Sequence, residues 1–87
     1  MKYLYLLSQD INRGYDTYDS CIVCAESEEK VRLIHPNRNK GDNWHESLHS
    51  YTYNDWVLPS EVKVTLIGIA NETIELNSVV FASFHAG

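Results

Sequence analysis

The chain has 87 residues and a formal net charge of −5 at pH 7. This acidic balance argues against a general DNA or RNA binder, which presents a basic face to the phosphates. No apolar run approaches the roughly 18 to 20 residues that span a bilayer, and the amino terminus does not resemble a signal peptide. We therefore expect one cytoplasmic domain over residues 1–87, with neither nucleic acid nor a membrane as partner. Because a core of this size is marginal alone, we also expect a homo-oligomer.

The first predicted element is a strand over residues 2–8. Its alternation places two tyrosines and Leu7 on one face, and Leu4 and Leu6 on the other. Because both faces are apolar, we expect this strand in the interior of a sheet rather than at a solvated edge. The polar stretch over residues 9–20 then predicts a long loop, and long ordered loops in small domains often carry function.

A second strand is predicted over residues 20–25, where a short apolar run contains two β-branched residues. The pattern becomes helical at Ser27, which is a good N-cap, and two glutamates follow in the first turn, where the helix dipole favours anions. We expect this helix to run over residues 27–35, because Pro36 disfavours helical backbone in the residue before it and lacks an N–H group.

The second half of the chain predicts two further strands, over residues 62–69 and 79–85, with alternating apolar residues. Before them, Trp44, Leu48 and Tyr51 recur at i, i+4 and i+7, which suits a second helical turn. The predicted fold class is α+β: a mainly antiparallel four-stranded sheet with one short helix packed on a face, and this second helical turn as an option. We expect one face of the sheet to need cover from another subunit.

Several short pieces of the chain resemble a group of short phage and prophage accessory proteins. They are Leu6-Leu7-Ser8-Gln9, Gly14-Tyr15-Asp16-Thr17-Tyr18-Asp19-Ser20, Ile34-His35-Pro36, Val62-Lys63-Val64-Thr65 and Ala82-Ser83-Phe84-His85-Ala86-Gly87. The likeness covers both ends of the chain and the first helix, but not residues 37–53, and it includes no catalytic signature. It implies a viral origin and a role against bacterial defences, either inhibiting a defence protein or sequestering a nucleotide-derived immune signal.

The run His45-Glu46-Ser47-Leu48-His49 matches the pattern H-E-x-x-H. On a helix, this spacing places the two imidazoles on the same face, where both can bind one zinc ion. The glutamate is then left to act as a general base. The surrounding sequence is a weak helix, and no evident second helix supplies a further ligand. We favour the alternative interpretation, in which these residues form the polar side of a short helix whose other side carries Trp44 and Leu48.

Cys21 and Cys24, with His45 and His49 downstream, imitate a zinc site of two cysteines and two histidines. In an extended strand, however, residues three apart point to opposite faces. Both thiolates would reach one metal only through a tight turn, which the two β-branched residues between them resist. We predict two buried, reduced and unreactive thiols, and we expect no metal, no cofactor and no catalytic residue.

Polar and aromatic groups concentrate in the loop before the second strand, at Arg13, Tyr15, Asp16, Tyr18 and Asp19. They combine a planar bidentate donor, two aromatic rings and two carboxylates. A ring can stack on a nucleobase, while a carboxylate accepts hydrogen bonds from ribose hydroxyls or an exocyclic amine. Two interpretations remain open: a nucleotide-binding loop, or a surface loop anchored by its tyrosines in which Asp19 only forms a turn.

A short basic segment follows the helix. Arg38 and Lys40, joined by His35, are candidates for phosphate contacts, and Trp44 is a candidate for a further stacking ring. For Trp44 the commoner alternative is that its side chain packs at the boundary of the hydrophobic core and completes it.

Two hypotheses for function follow from the resemblance and the loop together. The first is a non-enzymatic phage accessory protein that binds and sequesters a small nucleotide-derived signalling molecule. The second is an inhibitor that binds a host defence protein directly, with the acidic segments facing a basic channel on that protein. A zinc hydrolase using His45, Glu46 and His49 is the third and weakest reading.

Overall fold

The computed structural model describes residues 1–13, 16–37 and 56–85. The elements in chain order are β1 (Tyr3–Ser8), β2 (Thr17–Ala25), α1 (Glu28–Val31), a 3₁₀ turn (Pro59–Glu61), β3 (Lys63–Ile69) and β4 (Ser78–His85). The predicted α+β class, with a four-stranded antiparallel sheet and one short helix, is confirmed. The second helical turn predicted near Trp44 lies outside the described residues.

The strands lie in the order β3-β1-β2-β4, and every neighbouring pair is antiparallel. Because β1 pairs on both sides, its prediction as an internal strand is confirmed. Leu7 lies opposite Cys21, and Tyr5 lies opposite Val23. Residues opposite each other in a ladder share a face of the sheet, so these four side chains point the same way. The edges of the sheet are β3 and β4.

The face that carries these four side chains, called the helix-side face below, holds the hydrophobic core. The buried cluster comprises Tyr5, Leu7, Cys21, Val23, Ala25, Val31, Trp56, Val57 and Val62. Val31 belongs to α1, and Trp56, Val57 and Val62 belong to the chain before β3, so two separate segments cover the central strands. Complete burial of one such aliphatic side chain stabilises the fold by roughly 1.5–3 kcal/mol.

The opposite face of the sheet is also apolar at its centre. Leu6 lies opposite Ile22, and Ile22 lies opposite Phe81, so an apolar row crosses β1, β2 and β4. Leu6 and Ile22 are partly buried, whereas the Phe81 side chain at the edge is 64% exposed. The row is therefore most open at its β4 end.

The helix α1 is shorter than predicted, since it spans Glu28–Val31 rather than residues 27–35. Ser27 occupies the N-cap position, as predicted, but its side chain makes no capping hydrogen bond. Beyond the helix, the N–H groups of Leu33 and Ile34 donate to carbonyls three residues earlier, at 3.2 and 3.0 Å, which tightens the chain into a final turn. Among the described residues, no helix has the length and apolar character to cross a membrane.

The side chain of Arg32, at the end of α1, contacts the chain before β3. Its Nη1 donates to the backbone carbonyl of Val62 and, at 3.5 Å, to that of Pro59. The guanidinium thereby ties the end of α1 to the start of β3, and a charged hydrogen bond of this kind contributes roughly 1.5–3 kcal/mol. The chain turns toward this contact before Pro36 is reached.

The strand β2 begins at Thr17 rather than near residue 20. Thr17 pairs with His85, and Tyr18 pairs with Phe84 of β4. The Thr17 side chain is buried although its sequence neighbours are polar. The polar pattern predicted a loop here because it cannot reveal a pairing partner at the far end of the chain.

Candidate functional site

Gln9, directly after β1, organises the first half of the loop that carries the predicted binding groups. Its Oε1 accepts hydrogen bonds from the backbone N–H groups of Ile11 (2.9 Å) and Asn12 (2.8 Å). Its Nε2 donates to the backbone carbonyls of Asn12 (2.7 Å) and Tyr18 (2.8 Å). One amide side chain thus supplies partners that the irregular backbone lacks, and it joins the loop to β2. Sequence analysis missed Gln9, since a glutamine after a strand has no distinctive pattern.

Asn12 fixes the same loop to the core. Its Nδ2 donates to the backbone carbonyl of Trp56 at 3.0 Å, and the Trp56 side chain is fully buried. Arg13, the bidentate donor among the predicted binding groups, follows immediately and is exposed. Its backbone is therefore held next to an anchored residue while its guanidinium is accessible from solvent.

The two predicted carboxylates, Asp16 and Asp19, are both exposed and flank the start of β2. Asp16 has a φ of 59°, in the left-handed region that aspartate tolerates better than most residues. Asp19 lies where the pairing of β2 with β4 shifts between Tyr18 and Ser20. Such a bulge adds one residue to the strand and re-aims its side chains. Both carboxylates are accessible to a ligand, and both also serve local backbone geometry.

Tyr18 lies in a group of three rings that we call the aromatic cluster: Tyr18, His35 and Phe84. The Tyr18 and Phe84 ring centroids are 4.8 Å apart at an interplanar angle of 49°. Tyr18 and His35 meet edge to face at 6.1 Å and 84°. Tyr18 is partly buried and packs against the core, while the Phe84 side chain is 46% exposed. The accessible ring of the cluster is therefore that of Phe84, which sequence analysis did not select.

His35 is buried rather than part of an exposed basic segment. Its Nδ1 accepts a hydrogen bond from the backbone N–H of Asn37 at 2.8 Å, so this nitrogen carries no proton. Its burial separates the imidazole from solvent, and the predicted phosphate contacts of Arg38 and Lys40 stay predictions. The imidazole helps to close the edge of the core beside Tyr18.

Several predicted residues lie outside the described part of the chain: Tyr15, Arg38, Lys40, Trp44 and the motif over residues 45–49. Their predicted roles stay predictions. Within the described ranges, no group of three His, Cys, Asp or Glu side chains is placed to hold a metal ion.

The two cysteines lie on opposite faces of the sheet, as predicted. Cys21 is opposite Leu7 on the helix-side face, and Cys24 is opposite Leu4 on the other. Both are free thiols, and both are buried. Burial raises the pKa of the Cys21 thiol to about 12. Since the thiolate is the reactive form, burial keeps Cys21 in the less reactive thiol form at neutral pH.

Comparison of the chain with protein-family models, with curated proteins and with solved structures found no match.

Proposed function

We propose that this chain is a phage accessory protein that binds a small nucleotide-derived signalling molecule in the bacterial cytoplasm and sequesters it without transforming it. The observation that carries the proposal is the aromatic cluster around Tyr18, a residue that lies in the chain between the exposed Asp16 and Asp19 and five positions after the exposed Arg13. An aromatic ring, carboxylates and a guanidinium are the groups that recognise the base, the ribose and the phosphate of a nucleotide.

The base contact is assigned to Phe84. Its ring is half-exposed and rests against Tyr18, whose own position is supported by the core. A ring held in this way loses little side-chain freedom when a ligand stacks on it, and stacking contributes roughly 1–3 kcal/mol per base. Tyr15 and Trp44 are the candidates for a second ring on the other side of the base.

The ribose and phosphate contacts are assigned to the loop. Asp16 and Asp19 accept hydrogen bonds from hydroxyl or amine groups, and Arg13 donates to a phosphate in bidentate fashion. The bonds made by Gln9 and Asn12 support this assignment, because they hold the backbone beside Arg13 before a ligand arrives. A preorganised loop binds more tightly than one that is ordered only by its ligand. Arg38 is the candidate for a second phosphate contact.

Titration calorimetry with a panel of cyclic dinucleotides and ADP-ribose derivatives tests the proposal. We expect at least one ligand to bind the unmodified chain, with a Kd about ten-fold higher for Asp19→Asn and for Arg13→Ala, because each change removes a charged hydrogen bond worth roughly 1.5 kcal/mol. The matched control is Asp10→Asn, which removes an exposed carboxylate from the other end of the loop and should leave the Kd unchanged.

Absence of heat with every ligand of the panel would overturn the proposal. So would binding that Asp10→Asn weakens as much as Asp19→Asn does, since the effect would then reflect net charge rather than a site.

A further inference from the structure

The outer edge of β4 is one of the two edges of the described sheet, and both edges expose large apolar side chains. In the described part of the protein β4 pairs with β2 alone, so its other side presents unpaired backbone N–H and C=O groups. Edge strands of this kind are templates for another strand, and monomeric proteins guard them with charges, prolines or bulges.

The other edge, β3, is guarded in several ways. It begins at the charged residue Lys63, a short distance after Pro59. Its ladder with β1 shifts where Ile67 is left without a partner, and Gly68 follows directly. A bulge and a glycine both weaken a regular strand, so this edge is a poor template for pairing.

The edge at β4 lacks most of the features that block pairing with another strand. The strand Ser78–His85 contains no lysine, arginine, aspartate, glutamate or proline. Its own irregularity lies at Val80, near its beginning, where the register with β2 shifts between Ile22 and Val23. A second shift, at Asp19 of β2, falls opposite the step from Ser83 to Phe84, so the regularly paired part of β4 is Phe81, Ala82 and Ser83.

Exposed apolar side chains lie on both faces beside this edge. Phe81, opposite Ile22, is 64% exposed on the face away from α1, while Phe84, opposite Tyr18, is half-exposed on the helix-side face. A small ligand or a groove on one face would cover only one of these rings. A strand added at the edge packs beside Phe81, and the pairing does not require Phe84, whose ring is assigned to the proposed ligand.

We infer that β4 pairs antiparallel with β4 of a second copy of this chain, which joins two four-stranded sheets into one continuous sheet. Antiparallel pairing about a two-fold axis is self-complementary, so one segment satisfies the backbone groups of both copies. Each copy carries a net charge of −5, and an edge without charged residues lets two such chains approach without close repulsion. This inference does not depend on the proposed function.

Analytical ultracentrifugation of the full chain over a range of concentrations tests the inference. We expect a dimer at tens of micromolar, with the dimer Kd raised at least ten-fold by Phe81→Lys. The matched control is Leu66→Lys, which puts the same charge on the β3 edge at a side chain that is 57% exposed, and this variant should remain a dimer. Circular dichroism of both variants verifies that the sheet is intact.

Hydrogen exchange of the unmodified chain gives a second readout that needs no substitution. On dilution, amides of residues 81–84 should lose protection, whereas amides of β3 should not change. The inference is overturned by a monomer at about 100 µM, or by dissociation caused by Leu66→Lys but not by Phe81→Lys. It is also overturned by a heteromeric complex in which a different protein occupies the β4 edge while the isolated chain stays monomeric.

Discussion

The central and the edge strands contain the same kinds of apolar residue, yet the fold uses them differently. Leu7 and Val23 in the two central strands are completely buried, whereas Leu66 in β3 and Phe81 in β4 are more than half exposed. On the helix-side face, the described segments α1 and 56–62 pack on the central strands rather than on Leu66, while Phe81 lies at the edge of the opposite face. Stability is therefore concentrated in the centre, and the capacity for new contacts lies at the margins.

The largest expected effect is the loss of unfolding free energy when a leucine is replaced by alanine in the centre of the sheet. The same substitution at an edge gives the comparison. Leu7→Ala should lower the free energy of unfolding by about 2–5 kcal/mol, because it leaves a cavity in the packed core. Leu66→Ala at the exposed edge should change it by less than about 0.5 kcal/mol. Urea unfolding of both variants measures the difference, and similar losses for the two would show that the distinction between centre and edge is wrong.

A smaller effect is expected at the link between α1 and the beginning of β3. Arg32→Ala removes the guanidinium that donates to the carbonyls of Pro59 and Val62, and it should cost about 1–3 kcal/mol. Lys30→Ala, an exposed change on the neighbouring helix, serves as control and should cost less than about 0.5 kcal/mol. If Arg32→Ala proves as mild as its control in urea unfolding, the guanidinium does not tie α1 to the beginning of β3.

In the loop after β1, a substitution should change stability and hydrogen exchange mainly near the substituted residue. Gln9→Ala removes the side chain that bonds the backbone of Ile11, Asn12 and Tyr18, so it should cost about 1–2 kcal/mol. Hydrogen exchange of the Ile11 and Asn12 amides should accelerate in this variant. Asp10→Ala, one residue further on and exposed, should leave both amides protected. Unchanged exchange after Gln9→Ala would mean that the loop is held by other contacts.

The smallest expected effect is a pH dependence of stability that comes from the buried thiol of Cys21 in the centre of the sheet. The pKa of Cys21 is about 12 in the folded chain and 9.0 as the reference value, so the unfolded chain loses this proton first as the pH rises. The contribution of this thiol to the free energy of unfolding is complete below pH 9 and is lost progressively as the pH rises toward 12. The free energy of unfolding should fall by about 1 kcal/mol near pH 10.

Urea midpoints measured from pH 7 to pH 10.5 should therefore fall more steeply for the unmodified chain than for Cys21→Ala, in which other titrating groups remain. Parallel profiles for the two chains would contradict a buried, neutral thiol at this position.

Much of the fold could be predicted from local pattern. The apolar alternation of residues 2–8 marked β1 as an internal strand, and the spacing of Cys21 and Cys24 placed their thiols on opposite faces. The contact between Arg32 and the carbonyl of Val62 could not be predicted, because the two residues lie far apart in the chain.

The candidate site shows the same division. Tyr18 could be selected from its polar and aromatic neighbours, but Phe84 could not, since the two rings meet only when β4 pairs with β2. His35 was misread as part of a basic segment because burial is not visible in a run of charged neighbours. Long-range pairing and burial are the information that a single local pattern lacks.

Mass spectrometry of the small molecules released by denaturing this chain tests the central claim most directly. The chain would be purified from bacterial cells in which nucleotide-based defence signalling is active. We predict a nucleotide-derived molecule in amounts close to one per chain, strongly reduced in an Arg13→Ala, Asp19→Asn double variant and unchanged in Asp10→Asn. Release of no such molecule, or of equal amounts from the double variant, would contradict the account.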